Sequence, residues 1–215
     1  MKFNTALVFL LLICTISIVA FADVSVGVQK GDWVEYHVSF TGNPPPEHDV
    51  VWAKMEVIGV DGQQINATFV SRLENGTILN VEENLDFATG KLVDMFIIPS
   101  GLNAGDTFYA QGVGEIAIDS VDVHNVAGAS RRIIHAEAED TKWSWDRATG
   151  VVVEARTITA MYTLDTIATS TGIWNPLIIG LDPALFYSII ILIVILLAGI
   201  ALATRWKKHS RKNLK

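Results

Sequence analysis

The sequence predicts a mainly β protein, an antiparallel sandwich, barrel or curved sheet, with one transmembrane helix near its C-terminus. About ten short runs alternate apolar with polar residues between residues 23 and 170, separated by Gly, Pro, Asn and Asp. Helical periodicity does not extend over any long stretch of this region. A separate run from Ala184 to Thr204 contains no charged residue, which is typical of a membrane-spanning helix.

The N-terminal segment, residues 1–22, is predicted to be a secretory signal peptide. Lys2 precedes an apolar run over residues 6–21, and the small residues at its end are typical of a cleavage site. Two alternatives stay open: an uncleaved N-terminal anchor, and a lipid-modified Cys14, which the bulky preceding residue disfavours. Because Cys14 is the only cysteine, the cleaved chain has no thiol for a disulfide or a catalytic nucleophile.

Residues 23–170 are predicted to form one extracytoplasmic β-domain, large enough to bury a core without disulfides. Its strands are expected at residues 34–40, 50–60, 64–73, 77–85, 91–98, 115–123, 131–138, 141–145, 151–160 and 162–168. Asp61-Gly62 and Asn75-Gly76 are hairpin signals. Two further turns, beginning at Asp86 and Asp146, share the pattern Asp-x-x-Thr-Gly, in which we expect a structural carboxylate rather than an ion ligand.

The C-terminal part is predicted to comprise a juxtamembrane tether over residues 171–182, a transmembrane helix over 183–204 and a cytoplasmic tail over 205–215. The tether contains Trp174, which we expect in the membrane interface. The tail has six Lys or Arg residues and no acid, whereas residues 23–182 carry 9 − 23 = −14. The positive-inside rule therefore predicts a single-pass cell-membrane protein with its N-terminus outside. So acidic a domain would repel nucleic acid, which we exclude as a partner.

A search for catalytic motifs finds none, so we expect no enzyme and no cofactor. The sequence has no Gly-x-Ser-x-Gly elbow and no His-Glu-x-x-His helix. Asp122 and His124 would lie on one face of a strand and could share a metal, but ordinary alternation explains them equally well, and we predict no metal site. Glu137 and Glu139 form one of several carboxylate pairs that leave a carbohydrate-active enzyme as a third alternative.

Two sequons, Asn66-Ala67-Thr68 and Asn75-Gly76-Thr77, make Asn66 and Asn75 candidate glycosylation sites in an exported domain. Trp143 and Trp145 must point the same way if they lie in one strand. Exposed aromatic rings can stack on a ligand, so these two are candidates for ligand stacking, although packing in the core is the commoner role.

Three features carry a family resemblance: the run Gly31-Asp32-Trp33-Val34-Glu35-Tyr36, the hairpin Trp145-Asp146-Arg147-Ala148-Thr149-Gly150-Val151, and the single C-terminal anchor. Together they resemble uncharacterised archaeal exported proteins with one membrane anchor, which implies a cell-surface protein without an assigned activity. The Asp-x-x-Thr-Gly hairpin is also similar to that of LolA/LppX-like lipoprotein carriers. That second resemblance covers only short turns and implies an apolar ligand cavity.

The leading hypothesis from the sequence is a non-enzymatic cell-surface protein that binds an external partner or forms part of the envelope. The alternative is a curved-sheet module that binds a small ligand or a lipid. Besides the lipid bilayer, the expected partners are an extracellular protein, a glycan or a small apolar ligand.

Overall fold

A computed structural model of the chain describes residues 25–175, 178, 181 and 183–212, with side chains for all of these except residues 47, 183, 184 and 200–212. The predicted signal peptide, residues 1–22, lies outside the described residues, as do most of residues 176–182. Within the described ranges the protein is mainly β, as the sequence predicts.

The strands follow one another along the chain with short connections. They are β1 (Trp33–Gly42), β2 (Val50–Asp61), β3 (Gln64–Leu73), β4 (Ile78–Asp86), β5 (Thr107–Ala110), β6 (Gly114–Ala117), β7 (Ser120–Val126), β8 (Ala129–Ala138), β9 (Thr141–Asp146), β10 (Val152–Ile158) and β11 (Tyr162–Thr171). Helix α1 (Pro183–Lys212) follows them, and a short 3-10 turn precedes β2.

Nine of the strands form one antiparallel sheet in the order β4-β3-β2-β1-β11-β10-β9-β8-β7, and β5 pairs with β6 in a separate hairpin. Within the part of the chain that the structure describes, the terminal strands β4 and β7 do not pair, so the sheet is not closed. Pairing of β1 with β11 joins the two ends of the domain, since Val34 lies opposite Thr171. The described residues therefore form one large antiparallel sheet that is not closed, which agrees with the predicted curved sheet better than with the predicted barrel or sandwich.

Alternation places one side of several strands in the core. In β1, Val34, Tyr36 and Val38 are buried, while the residues between them are more exposed. Residues that pair across antiparallel strands share a face, so Val38, Ala53, Phe69, Trp143 and Leu164 lie on one side of the sheet, here called the inner face. The opposite side is the outer face.

Residues 87–118, here called the cover segment, pack across the inner face and include the β5–β6 hairpin. Phe96 contacts the ring of Tyr36 edge to face at 5.5 Å, and Phe108 contacts Trp145 in the same way at 5.7 Å. The indole N–H of Trp145 donates a hydrogen bond to the carbonyl of Met95 at 2.8 Å. The core therefore lies between one open sheet and its cover, rather than between two stacked sheets.

The predicted strand over residues 91–98 is wrong. Val93, Asp94 and Met95 all have left-handed backbone conformations, with φ of 42°, 49° and 53°, which no strand accommodates. The apolar side chains of this stretch pack beneath the sheet as part of the core, although the stretch does not pair as a strand within it.

The predicted strand over residues 115–123 is also wrong, because it forms two strands in different sheets. The chain leaves β6 after Ala117 and enters β7 at Ser120, so Ile118 and Asp119 form the crossing between them. Sequence alternation did not predict β5 at all, since its four residues are too few to show a period.

The C-terminal helix forms, but its predicted role as a membrane span is not supported. Helix α1 begins at Pro183, the predicted first residue. Among the residues that the structure describes, no helix is both long enough and apolar enough to cross a membrane. The predicted transmembrane helix over residues 183–204 is therefore not supported.

Trp174 does not lie in a membrane interface as predicted. It is 7% exposed, its indole N–H donates to the carbonyl of Val126 at 3.2 Å, and the guanidinium of Arg131 lies 4.8 Å from its ring centre. Packing and a cation–π contact on the β-domain therefore fix this side chain.

Candidate ligand-binding cleft

A cleft with a volume of about 860 Å³ opens between the inner face of the sheet and the cover segment. Strands β1, β2, β3, β4, β9, β10 and β11 all contribute lining residues, so the sheet curves around the cleft. The volume falls within the range of pockets that hold small organic ligands.

The deep wall of the cleft is largely apolar. Phe69 and Phe96 contact each other edge to face at 5.4 Å, and Leu92, Val38 and Leu164 extend the same surface. These side chains belong to the hydrophobic core or pack against it. A ligand with an alkyl or ring body would therefore bury apolar area here, with a gain of roughly 25 cal/mol per Å².

One buried polar group in the cleft lacks a partner. Trp143 lines the cleft, and its Nε1 atom is buried without a hydrogen bond to any residue that the structure describes. An indole N–H can only donate, and leaving a buried donor unpaired costs about 1–3 kcal/mol. The indole N–H of Trp143 is therefore a buried, unpaired donor beside the cleft.

The charged groups that line the cleft are acidic. They are Glu83, Asp94, Glu139 and Asp140, and none of the described lining residues is Lys or Arg. Lys91 lies nearby, with its Nζ 3.8 Å from the Glu83 carboxylate, and its charge offsets that of Glu83. At the rim, the Tyr162 hydroxyl and the Nδ1 atom of His48 lie 2.7 Å apart. The cleft therefore disfavours an anionic ligand.

Backbone strain is concentrated where the cover segment meets the cleft. Val93, Asp94 and Met95 line the cleft in their left-handed conformation, and for the β-branched Val93 this conformation is a marked outlier. Two hydrogen bonds hold the C-terminal end of these three residues, from Trp145 Nε1 to the Met95 carbonyl and from the Val152 amide to the Phe96 carbonyl. Such strain persists only where the surrounding structure fixes it, and ligand clamps are among the places where it occurs.

The two predicted stacking residues play different parts. Trp143 and Trp145 stack at 5.8 Å with an angle of 11° between the rings. Trp145 has no exposed surface, since Trp143 covers one side and Phe108 contacts the ring as well. Trp145 therefore packs the core and cannot stack on a ligand, whereas Trp143 faces the cleft.

Both candidate glycosylation sites are exposed: Asn66 lies in strand β3, and Asn75 lies in the turn that follows it. The Asn66 side-chain oxygen accepts a hydrogen bond from the Asn84 amide at 2.7 Å, and the Asn75 side-chain oxygen accepts one from the Thr77 backbone at 2.9 Å. Glycosylation at Asn66 and Asn75 stays a prediction.

The carboxylate pair considered for catalysis is divided between two environments. Glu137 lies in β8 with its carboxylate 3.8 Å from Lys142, while Glu139 lies beyond the strand with φ of 54° and lines the cleft. Residues two apart share a face only within a strand, and β8 ends at Ala138.

A polar cluster occupies the outer face of β7 and β8. Asp122 and His124, which the sequence places on one strand face, are joined there by His135 from the neighbouring strand. Hydrogen bonding from His135, and then from His124, lowers the pKa of the Asp122 carboxyl below its usual value. The sequence alone does not group His135 with Asp122, because only the strand register brings the two side chains together.

The fold and its site define an open antiparallel sheet with a covered, ligand-sized cleft on one face. No family model matches the chain, and no curated protein matches it. The resemblance to archaeal exported proteins therefore stays a prediction.

Solved structures show only weak similarity to this chain. A hypothetical lipoprotein, YmcC from Escherichia coli (K12), aligns over 66% of this chain and 88% of its own, with 10% identity and a TM-score of 0.30. The siderocalin Ex-FABP, described as functioning through dual ligand specificities, aligns over 65% of this chain and 70% of its own, with 9% identity and a TM-score of 0.25.

Proposed function

We propose that the protein binds a small, mainly apolar ligand in the cleft between the curved sheet and the cover segment. The observation that carries this proposal is a cleft of about 860 Å³ whose walls include apolar side chains of both the sheet and the cover segment. Beside it, the N–H of Trp143 is buried without a partner among the residues that the structure describes. A purely structural envelope protein needs neither the space nor the orphan donor. The proposed role is binding without catalysis.

The lining residues restrict the ligand's chemistry. Its body is an alkyl chain or ring system that fills the apolar wall, and it carries a neutral acceptor, such as a hydroxyl or carbonyl oxygen, for Trp143. A carboxylate or phosphate would meet the acidic lining residues, and none of the lining residues that the structure describes is a Lys or Arg able to pair with it. The proposed ligand class is therefore a neutral lipid or isoprenoid rather than a free fatty acid.

Three ligands of equal chain length test this proposal: 1-dodecanol, dodecanoate and dodecane. Displacement of the neutral dye Nile red from the full-length chain at pH 7 gives their relative affinities. We expect 1-dodecanol to bind most tightly, because only it combines a neutral head with an acceptor. Failure of all three to displace the dye, or tighter binding of dodecanoate, would contradict the proposal.

The variant Trp143→Phe isolates the hydrogen bond, because it keeps an aromatic ring and removes the N–H. We expect it to weaken 1-dodecanol about fivefold, equivalent to about 1 kcal/mol, and to leave dodecane unchanged. Trp52→Phe is the matched control, since Trp52 is also half-buried but does not line the cleft. Equal losses for the two ligands would show that the N–H plays no part.

We also propose that the protein is exported and held at the cell membrane with its N-terminus outside. The apolar run over residues 6–21, the acidic domain and the basic residues 205–215 support this orientation. Protease treatment of intact cells carrying a tag at either end tests it, together with mass spectrometry of the mature N-terminus and alkaline extraction of membranes. Digestion of the C-terminal tag from outside would contradict the orientation, and release by alkali would contradict integral attachment to the membrane.

A further inference from the structure

We propose that the outer face of strands β7 and β8 binds a divalent transition-metal ion of the zinc class through Asp122, His124 and His135. The site lies on the opposite side of the sheet from the cleft, so it is independent of the proposed ligand binding.

Three potential ligand atoms converge at this point. The Nε2 atom of His124 lies 2.9 Å from one Asp122 oxygen, and the Nε2 atom of His135 lies 3.0 Å from the other. The three ligand atoms all lie within 4.8 Å of one another. Ligands about 2.0–2.1 Å from a tetrahedral Zn²⁺ are about 3.3 Å apart, so small side-chain rotations would bring them to a common ion.

Strand register, rather than loop flexibility, sets this arrangement. Asp122 and His124 are two apart in β7 and therefore point the same way, and β7 pairs with β8 so that Asp122 faces Ile133. His135 is the next residue on that face of β8, diagonal to Asp122 and within reach of its long ring. The backbone of two paired strands thus holds all three ligands.

His135 already has the outer-shell partner that metal-bound histidines use. Its Nδ1 atom lies 2.9 Å from the hydroxyl oxygen of Ser144 in β9. With the proton on Nδ1 donated to Ser144, the lone pair on Nε2 faces the other two ligands.

The donor types select the ion. Two imidazole nitrogens and one carboxylate suit Zn²⁺, Cu²⁺ or Ni²⁺, whereas Ca²⁺ and Mg²⁺ require mainly oxygen ligands. His124, His135 and Ser144 also border a shallow depression of about 120 Å³, which has space for the water molecules that would complete the coordination. The negative charge of the domain favours the approach of a cation.

Equilibrium dialysis of the untagged full-length chain against Zn²⁺, with metal quantified by mass spectrometry, measures the stoichiometry and affinity. We expect about one Zn²⁺ per chain, unaffected by excess Mg²⁺. His124→Ala and His135→Ala should each weaken binding by more than about 100-fold, and Ser144→Ala by about tenfold, the range known for outer-shell partners. Because the ion would join edge strand β7 to β8, Zn²⁺ should also raise the Tm.

His37→Ala is the matched control, since His37 is likewise an exposed strand histidine but lies in β1, outside the cluster. It should retain wild-type binding. Substitution with Co²⁺ provides a spectroscopic check, because nitrogen coordination produces visible absorption bands that His135→Ala should abolish. Absence of stoichiometric Zn²⁺ in the wild-type chain, or equal binding by His124→Ala, His135→Ala and His37→Ala, would overturn the proposal.

Discussion

At the scale of single residues, Asp146 is the most consequential polar side chain of the outer face. It is buried, and its two oxygens accept hydrogen bonds at 2.8 Å from Nε and from an Nη atom of Arg131. The Thr149 amide and hydroxyl donate to the same carboxylate. Gly150 follows with φ of 73° and lies directly against the Ile98 carbonyl, where a side chain has no room. The geometry of this turn therefore depends on one carboxylate and one glycine.

We expect Asp146→Asn to destabilise the protein by about 3 kcal/mol, because it leaves the Arg131 guanidinium without its anion. Thermal unfolding followed by circular dichroism should show a Tm lower by roughly 10 °C. Asp86→Asn is the matched control, since Asp86 begins the other Asp-x-x-Thr-Gly turn but its carboxylate accepts, from the residues that the structure describes, only the exposed Ala88 amide. Similar losses in both variants would contradict the special role of the Arg131 pair.

Tyr36 gives a prediction about alkaline pH. Its side chain has no exposed surface, its hydroxyl donates to the Val152 carbonyl at 3.1 Å, and burial raises its pKa well above the ordinary value of 10.0. The folded protein thus retains a proton that the unfolded chain loses above about pH 10, so stability from Tyr36 is complete below that pH and declines as pH rises. Urea unfolding of the wild type and Tyr36→Phe from pH 7 to pH 11 should show their stability difference shrinking above pH 10. A constant difference would be the contrary result.

At the scale of elements, the cover segment combines apolar packing with an unfavourable backbone. Leu92, Met95 and Ile97 are buried, yet residues 93–95 adopt the left-handed region that costs an L-residue roughly 1–2 kcal/mol each. Packing beneath the sheet and the hydrogen bond from Trp145 outweigh that cost. The same segment bounds the cleft, so its strain and the proposed ligand site occupy one element.

Asp94 allows the strain to be measured without changing the core, because its side chain is exposed and its φ is 49°. We expect Asp94→Val to destabilise the protein by about 1–2 kcal/mol, since a β-branched residue tolerates this conformation least. Lys142→Val is the control, because Lys142 is exposed in β9, where a β-branched residue is favourable. Urea titration of both variants measures the difference, and a neutral Asp94→Val would argue against strain at this position.

At the scale of the whole molecule, contacts between residues distant in sequence hold the two ends of the β-domain together. Gly42 pairs with Tyr162 at one end of the β1–β11 ladder and Val34 with Thr171 at the other, and Trp174 then packs against Arg131 on the outer face. Contacts of the β-domain therefore extend at least to Trp174, while the domain limits of 23 and 170 stay a prediction.

A chain that ends after Asn175 should consequently retain the full stability of the β-domain, with a Tm within about 2 °C of the full-length protein. A chain that ends after Ala168 should melt much lower, because it loses the last pairs of β11 and the packing of Trp174. Differential scanning calorimetry of the three proteins distinguishes these results. A large Tm loss in the longer truncation would mean that residues beyond 175 belong to the folding unit.

The sequence by itself determined the class of the fold and most of its strands. Alternation located β1 to β4 and β8 to β11 within a few residues, because strands such as β1 and β8 bury one side and expose more of the other. Local chemistry also determined the turns: Gly62 and Gly76 take positive φ where Asp-Gly and Asn-Gly predict it, and the Asp146 carboxylate caps its own turn.

Only the tertiary structure decided which surfaces those strands would form. The sheet is open among the described residues, and the cover segment packs against its inner face. No local sequence pattern indicates that residues 92–98 pack beneath a sheet instead of pairing within it. Trp143 faces a cleft while its neighbour Trp145 is enclosed, and His135 reaches Asp122, because packing and strand register join residues far apart in the chain. Periodicity in the sequence indicates which side of a strand is apolar, whereas long-range contacts determine which segment covers that side.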